Sequence, residues 1–118
     1  MKKFLVALLL VCLLATPCLA AGPTVEEGNR LQFTAADQET TTVFRITSIV
    51  WASFTGSVIV AGNVMNLEDG AGTEVLKLIA EATMLGPHVV TIPGGIVVSG
   101  LKAEDLTKGY VTIYGQRL

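Results

Sequence analysis

Thiol chemistry is the first thing this chain lacks. Its two cysteines, Cys12 and Cys18, both fall within the first twenty of 118 residues. A chain cut after Ala20 therefore keeps neither a disulfide nor a thiol nucleophile. Small exported domains commonly use disulfides to offset a thin core, so here packing or assembly must supply that stability. Histidine is nearly missing too, with His88 alone in the sequence. A zinc centre needs three or four well-spaced ligands, and one histidine without cysteine does not provide them. No serine among Ser48, Ser53, Ser57 and Ser99 sits in a Gly-x-Ser-x-Gly elbow, which removes the usual serine-hydrolase nucleophile. Glu68, Asp69 and Glu74 flank Gly70 and Gly72 without EF-hand spacing, so they read as a solvated hairpin tip. Glu104-Asp105 reads as a loop cap. The expectation is a non-enzyme with no catalytic residue, no metal ligand and no cofactor.

Positive charge is the next scarcity. Without Lys2 and Lys3 the eight basic residues fall to six, against ten acidic ones, a formal charge of −4. The six (Arg30, Arg45, Lys77, Lys102, Lys108 and Arg117) are scattered. Nucleic-acid binding proteins carry a basic stripe or patch, and anionic membranes select for the same feature. Neither partner is expected.

Long apolar runs are also few, and the longest is short. Lys2 and Lys3 precede the apolar run Phe4–Ala15, Pro17 breaks it, and Cys18-Leu19-Ala20 offers small residues at the −3 and −1 positions. This is the grammar of a secretory signal peptide. A spanning helix needs roughly 20 apolar residues, more than the run contains. The expected layout is a signal-peptide helix over 1–20, a flexible leader over 21–28 and one domain over 29–118. Export would end in the periplasm or outside the cell, with no membrane contact after cleavage.

What is present is β-type sequence. Val, Ile, Thr and Gly dominate the domain, the composition of strands and tight turns. Arg30–Thr34 alternates as a short strand. Thr40–Ser53 is the longest β-type run, with Phe44, Ile46 and Val50 on one parity and Val43, Ile49 and Trp51 on the other. Arg45 and Thr47 interrupt the second parity, so that face is partly wet or changes side at a bulge. Ser57–Ala61 reads as a short apolar strand. Asp69-Gly70 after Val64–Leu67 is a strong hairpin signal. Residues 73–84 fit both periods, strand or helix, and the preceding hairpin tips the balance to strand. His88–Ile92 and Ile96–Ser99 flank Pro93-Gly94-Gly95, which carries type II turn chemistry. Gly100-Leu101 should end that strand, Lys102–Lys108 reads as a charged loop or one helical turn, and Tyr110–Tyr114 as a closing strand. Seven or so short strands at this spacing point to an all-β fold, an antiparallel β-sandwich or jelly-roll-like barrel.

Several pieces then fall in a familiar order. Val50-Trp51-Ala52 ends a strand, and Leu67-Glu68-Asp69-Gly70-Ala71-Gly72 forms an acidic hairpin. A proline-glycine turn follows, then Gly95-Ile96-Val97-Val98-Ser99-Gly100-Leu101 and Gly109-Tyr110-Val111-Thr112-Ile113-Tyr114. Over residues 49–114 this order resembles the small β-sandwich proteins that decorate phage particles or belong to phage-like structural sets. The resemblance implies a non-enzymatic protein that oligomerises or coats a surface.

Six residues form the candidate contact surface. Trp51 and Phe54 sit together at a strand end, as a core plug or an aromatic platform. Tyr110 and Tyr114 share a parity opposite Val111 and Ile113, and a tyrosine pair on a sheet suits a contact face. Val89 and Val97 belong to arms that are apolar at consecutive positions, so both faces of those arms need cover. Burial against another subunit and burial inside a two-sheet sandwich account equally for that pattern. The functional expectation is an exported structural or interaction protein, a homo-oligomer or part of a larger protein assembly. The alternative is a small ligand-binding module, with carbohydrate as the ligand class, using Trp51 or the tyrosine face.

Overall fold

The computed structural model describes residues 21–118, and the signal-peptide reading of 1–20 lies outside them. Seven strands run in chain order: β1 Val25–Glu27, β2 Arg30–Phe33, β3 Glu39–Ala52, β4 Val64–Asp69, β5 Glu74–Ile79, β6 His88–Leu106 and β7 Tyr110–Arg117. All pairings are antiparallel, and the strands form one sheet in the order β1-β2-β7-β3-β6-β4-β5. The all-β, seven-strand expectation therefore holds, with every strand in a single sheet. Within the 21–28 stretch read as a leader, Val25–Glu27 forms β1 and pairs with β2.

Bulges reconcile the sequence pattern with one buried face. In β3, Phe44 and Ile46 are fully buried, and so are Ile49 and Trp51 on the opposite parity. A register shift between Ile46 and Ser48, seen against both β6 and β7, leaves Thr47 as the extra residue. One extra residue turns the side chains over, so both halves of β3 face the same core. The change of side at a bulge, one of the two readings of this run, is what occurs. The same device recurs in β6. Met65 pairs with Leu106 and Leu67 with Ala103, with a shift between them that skips Glu104. Leu101, Ala103 and Leu106 thus all point inward, buried.

Three local expectations fail, each for a tertiary reason. Pro93-Gly94-Gly95 is not a hairpin turn. Both flanking segments belong to β6, and both pair with β3 in one direction, Val89 with Val50 and Val97 with Arg45. Gly94 and Gly95 adopt positive φ, 76° and 72°, as glycine does cheaply, but the result is a wide bulge opposite Thr47. Nor does Gly100 end a strand. Its φ of 82° stands just before β4 joins the second side of β6 at Leu101, while pairing with β3 runs on to Lys102, and Lys102–Leu106 continues as strand instead of loop. Ser57–Ala61 is no strand: it has one isolated bridge, Phe54 to Ser57. Only Ile59 is buried there, its amide donating to Ser53 Oγ at 2.9 Å, while Val58 and Val60 stand exposed. The 73–84 stretch is strand over Glu74–Ile79, paired with β4 through the expected acidic hairpin.

Sixteen buried apolar residues, drawn from β2, β3, β4, β6, β7 and two connecting segments, form one cluster. Side chains with no exposure at all, such as Phe33, Phe44 and Met65, cannot lie on an uncovered sheet face, so the sheet coils over its own inner surface. Backbone bonds record that coiling. Glu39 N donates to Ala21 O at 2.9 Å, which brings the first turn of β3 against the segment leading into β1. The Glu26 carboxylate on β1 accepts from the Thr40 hydroxyl at 2.9 Å and from the Thr42 hydroxyl, and lies 3.4 Å from Arg117. β1 and β3 are not neighbours in the strand order, so Glu26 clasps two separated parts of the coil.

That clasp has a pH signature. The Thr42 hydroxyl, then the Thr40 hydroxyl and Arg117, hold the Glu26 carboxyl below its ordinary value of 4.5 despite an opposing desolvation effect. A lowered carboxylate pKa stabilises the fold fully above the unfolded value and loses that contribution as pH falls through the folded one. Glu26→Gln should lower the urea midpoint at neutral pH, by under about 1 kcal/mol because solvent screens the site. The gap between wild type and variant should close below the ordinary carboxylate range. A gap unchanged between neutral pH and acid would show that Glu26 acts through shape alone.

Candidate functional site

The inner face runs in rows across the strands. One row is Phe33, Val111, Trp51 and His88; the next is Leu31, Ile113, Ile49 and Val90. Trp51 lies inside the first row, 1% exposed, with its indole Nε1 donating to Lys108 O at 2.9 Å. Its parity with Ile49, also fully buried, places it there. Trp51 is thus the core plug of the two readings, and its ring offers no platform to a ligand. His88, at the open end of that row, is exposed and makes no side-chain hydrogen bond or ion pair within the described residues.

The other candidate residues lie outside the core. Directly paired residues share a face, so the outer face of the central strands follows from register. It carries Val43, Arg45, Ser48, Val50 and Ala52 of β3, Val89, Thr91, Val97 and Ser99 of β6, and Tyr110, Thr112 and Tyr114 of β7. Val89 is 55% exposed, Val97 54%, Tyr114 41% and Val43 39%. Thr112 between the tyrosines is covered, its hydroxyl accepting from Gln32 Nε2 at 3.3 Å. Tyr110 tilts against Phe54 with ring centroids 5.1 Å apart and 43° between planes. Five of the six candidates therefore share one side of the sheet or its rim, and Trp51 does not.

Residues that the sequence reading passed over complete this side. Beyond the Phe54–Tyr110 pair lies a groove of about 520 Å³, walled by Val58, Met84, Leu85 and Pro87 and lined by no charged residue. Leu85 is 99% exposed. Its signal was Met84-Leu85 standing directly before Gly86-Pro87, an apolar pair at a loop tip with no strand pattern to bury it.

A separate charged cleft lies elsewhere. Glu39, Glu68, Asp69 and Lys102 surround a shallow cleft beside the β4–β5 turn. Asp69 is occupied there, accepting from the amides of Ala71 and Thr73 at 2.9 Å each, which is the solvated hairpin tip expected of it. Lys102 lies 3.1 Å from Glu104 and 3.8 Å from Asp37, and its pairing with Glu104 holds its ammonium above the usual lysine range. Among the described residues no three His, Cys, Asp or Glu side chains are grouped to hold a metal ion. No helix of the described residues is long and apolar enough to cross a membrane. No family model, no curated protein and no solved structure matches this chain.

Proposed function

We propose that this chain is an exported, non-enzymatic structural module that associates with itself and coats a surface or particle in the periplasm or outside the cell. Its coiled sheet acts as a sandwich whose two layers are halves of one sheet. One observation carries the reading: Val43, Val89, Val97 and Tyr114 stand 39–55% exposed on the outer face of the central strands. Scattered exposed apolar residues are ordinary, but several on one face of rigid strands support a contact surface, with Arg45, Ser48, Thr91 and Ser99 interspersed among them. The compositional sign of an interface core is few charges with aromatics present, and Val89–Ser99 holds no charged residue.

Light scattering on the chain from Ala21 to Leu118, which carries all seven strands, tests the reading. Average mass should rise above that of one chain at tens of micromolar, a range typical of modest interfaces. Val89→Lys combined with Val97→Lys, both at exposed positions, should return it to one chain with unchanged circular dichroism. A single-chain mass for the wild type throughout that range would refute self-association.

A second reading rests on the Phe54–Tyr110 groove. Its uncharged aromatic wall suits a small ligand with apolar faces, such as a sugar ring. Glycan-dependent tyrosine fluorescence that disappears in Phe54→Ala, at constant mass, would favour that module instead.

A further inference from the structure

A coiled sheet has ends, and of the stretches of strand here with one unpaired side three bear on assembly. β1 is three residues long and carries Glu26 and Glu27; β5 carries Glu74 and Lys77 on its outer edge. The third stretch is the first half of β6. Its partner on one side is β3, while β4 joins the other side only from Leu101 onward. Before that point, among the described residues, the one backbone bond on the free side is Gly70 N donating to Ser99 O at 3.0 Å. Ten residues, Val89 to Val98, thus form an open edge free of charged side chains, the kind that proteins usually blunt with charge.

The stretch is close to a mirror image of itself about Gly94. Stepping outward from Gly94, Pro93 meets Gly95, Ile92 meets Ile96, Thr91 meets Val97 and Val90 meets Val98. An isologous two-fold contact brings each patch against its own copy, so it needs this self-complementarity. Any charge on the edge strand near the axis would sit beside the same charge; the strand itself has none, and the nearest charged side chain, Arg45 of β3, lies beside Gly95. We propose that two copies pair antiparallel along this edge, with Gly94 facing Gly94 of the second copy, and so extend one sheet across both molecules. The proposal rests on the self-association reading above and names the partner as a second copy of this chain.

Register makes the arrangement specific. Val90 and Ile92 would lie opposite Val98 and Ile96 of the second copy on the core side. Thr91 would lie opposite Val97 of the second copy on the outer side. The bulge falls on the axis, where Pro93 has no amide to donate. A Cβ added at Gly94 meets no atom within 4 Å in its own chain, whereas one at Gly95 would press on Arg45. The space beside Gly94 is open, and on the axis two glycines would face each other without side chains. Three-residue ladders on either side, Val90–Ile92 against Ile96–Val98, carry the pairing.

Cysteine pairing reads this register directly, since the chain from Ala21 onward has no thiol of its own. Thr91→Cys and Val97→Cys proteins, each made singly, are mixed under mild oxidation. Directly opposed residues bring their Cβ atoms within disulfide reach, whereas 91 and its own copy lie six residues out of register. Mixed disulfide dimer should form at least about tenfold faster than dimer in either protein alone. Equal rates in all three samples would overturn the register. A wild-type dimer by mass that yields no mixed disulfide would overturn the edge pairing while leaving self-association intact. A wild-type monomer would overturn both. Gly94→Asn, which tolerates positive φ, should fold normally yet dimerise at least about tenfold more weakly, because it places side chains on the axis.

Discussion

Trp51→Ala should unfold much of this protein at room temperature, and it should do so without any ligand being involved. The indole is 1% exposed in the row formed by Phe33, Val111 and His88, and its Nε1 satisfies Lys108 O at 2.9 Å. Truncating a buried aromatic typically costs about 3–5 kcal/mol through lost transfer energy and the cavity left behind. The stranded Lys108 carbonyl, at the turn into β7, adds about 1 kcal/mol more. Domains of this size hold only about 5–15 kcal/mol in total, and this one has no disulfide from Ala21 onward. The loss should appear as a collapsed urea midpoint or an absent transition. Trp51→Phe, which keeps most of the volume but not the donor, should cost about 1–3 kcal/mol. A Trp51→Ala protein with a transition within about 1 kcal/mol of wild type would mean that the row is not the core described here.

Gly115→Ala should be comparably damaging although it adds a single methyl group. Gly115 pairs with Ile46 immediately beside the Thr47 bulge. A Cβ there would overlap the Arg45 carbonyl oxygen and come 2.9 Å from the Phe44 ring. Side chains can yield to overpacking at about 1–3 kcal/mol, but here the obstacle is backbone locked in the β3–β7 ladder. The expected loss is about 3 kcal/mol or more, with a melting temperature lower by at least about 10 °C. Gly28→Ala is the control, since a Cβ there meets nothing within 4 Å, and it should stay within about 0.5 kcal/mol. Equal effects at the two positions would show that close approach of β7 to the bulge is not what demands glycine at 115.

Both predictions turn on Thr47, and that region also shows how far the sequence could be read. The conflicting parities of Phe44-Ile46 and Ile49-Trp51 announced that β3 changes side, because a run apolar on both parities with a polar break needs either two covered faces or an extra residue. Asp69-Gly70 announced its hairpin because the Asp69 carboxylate caps the turn locally, through the amides of Ala71 and Thr73. Pro93-Gly94-Gly95 misled for the same local reason. Left-handed glycines after proline suit a reversal and a wide bulge equally, and only the presence of β3 along both flanks decides between them. Lys102–Leu106 was unreadable as strand because its inward residues, Ala103 and Leu106, fall on opposite parities until the Glu104 bulge is known. Of the candidate surface, the outward tyrosines and valines follow from alternation alone. Trp51 could not be assigned without knowing that Ile49 faces in, and Leu85 without knowing that its neighbour Met84 takes the place against the core and leaves Leu85 outside.

The same geometry explains why an exposed apolar face and an open edge persist together. Val89 and Val97 alternate with Val90 and Val98, so the strand that seals the core with one parity presents valine outward with the other. Replacing the outer valines by charged residues would leave the core intact, which is how edges are usually guarded. Here the guard is confined to the Pro93–Gly95 bulge, and we propose that both flanks of it stay apolar for contact with a second copy.

Amide hydrogen exchange of β6, followed as the chain from Ala21 to Leu118 is concentrated from about 1 μM to about 100 μM, tests that claim most directly. If a second copy covers this edge, amides within Val89–Ser99 should slow by about tenfold or more while those of β1 and β5 stay unchanged, since only the covered strand gains protection. Identical exchange along β6 at both concentrations would contradict it.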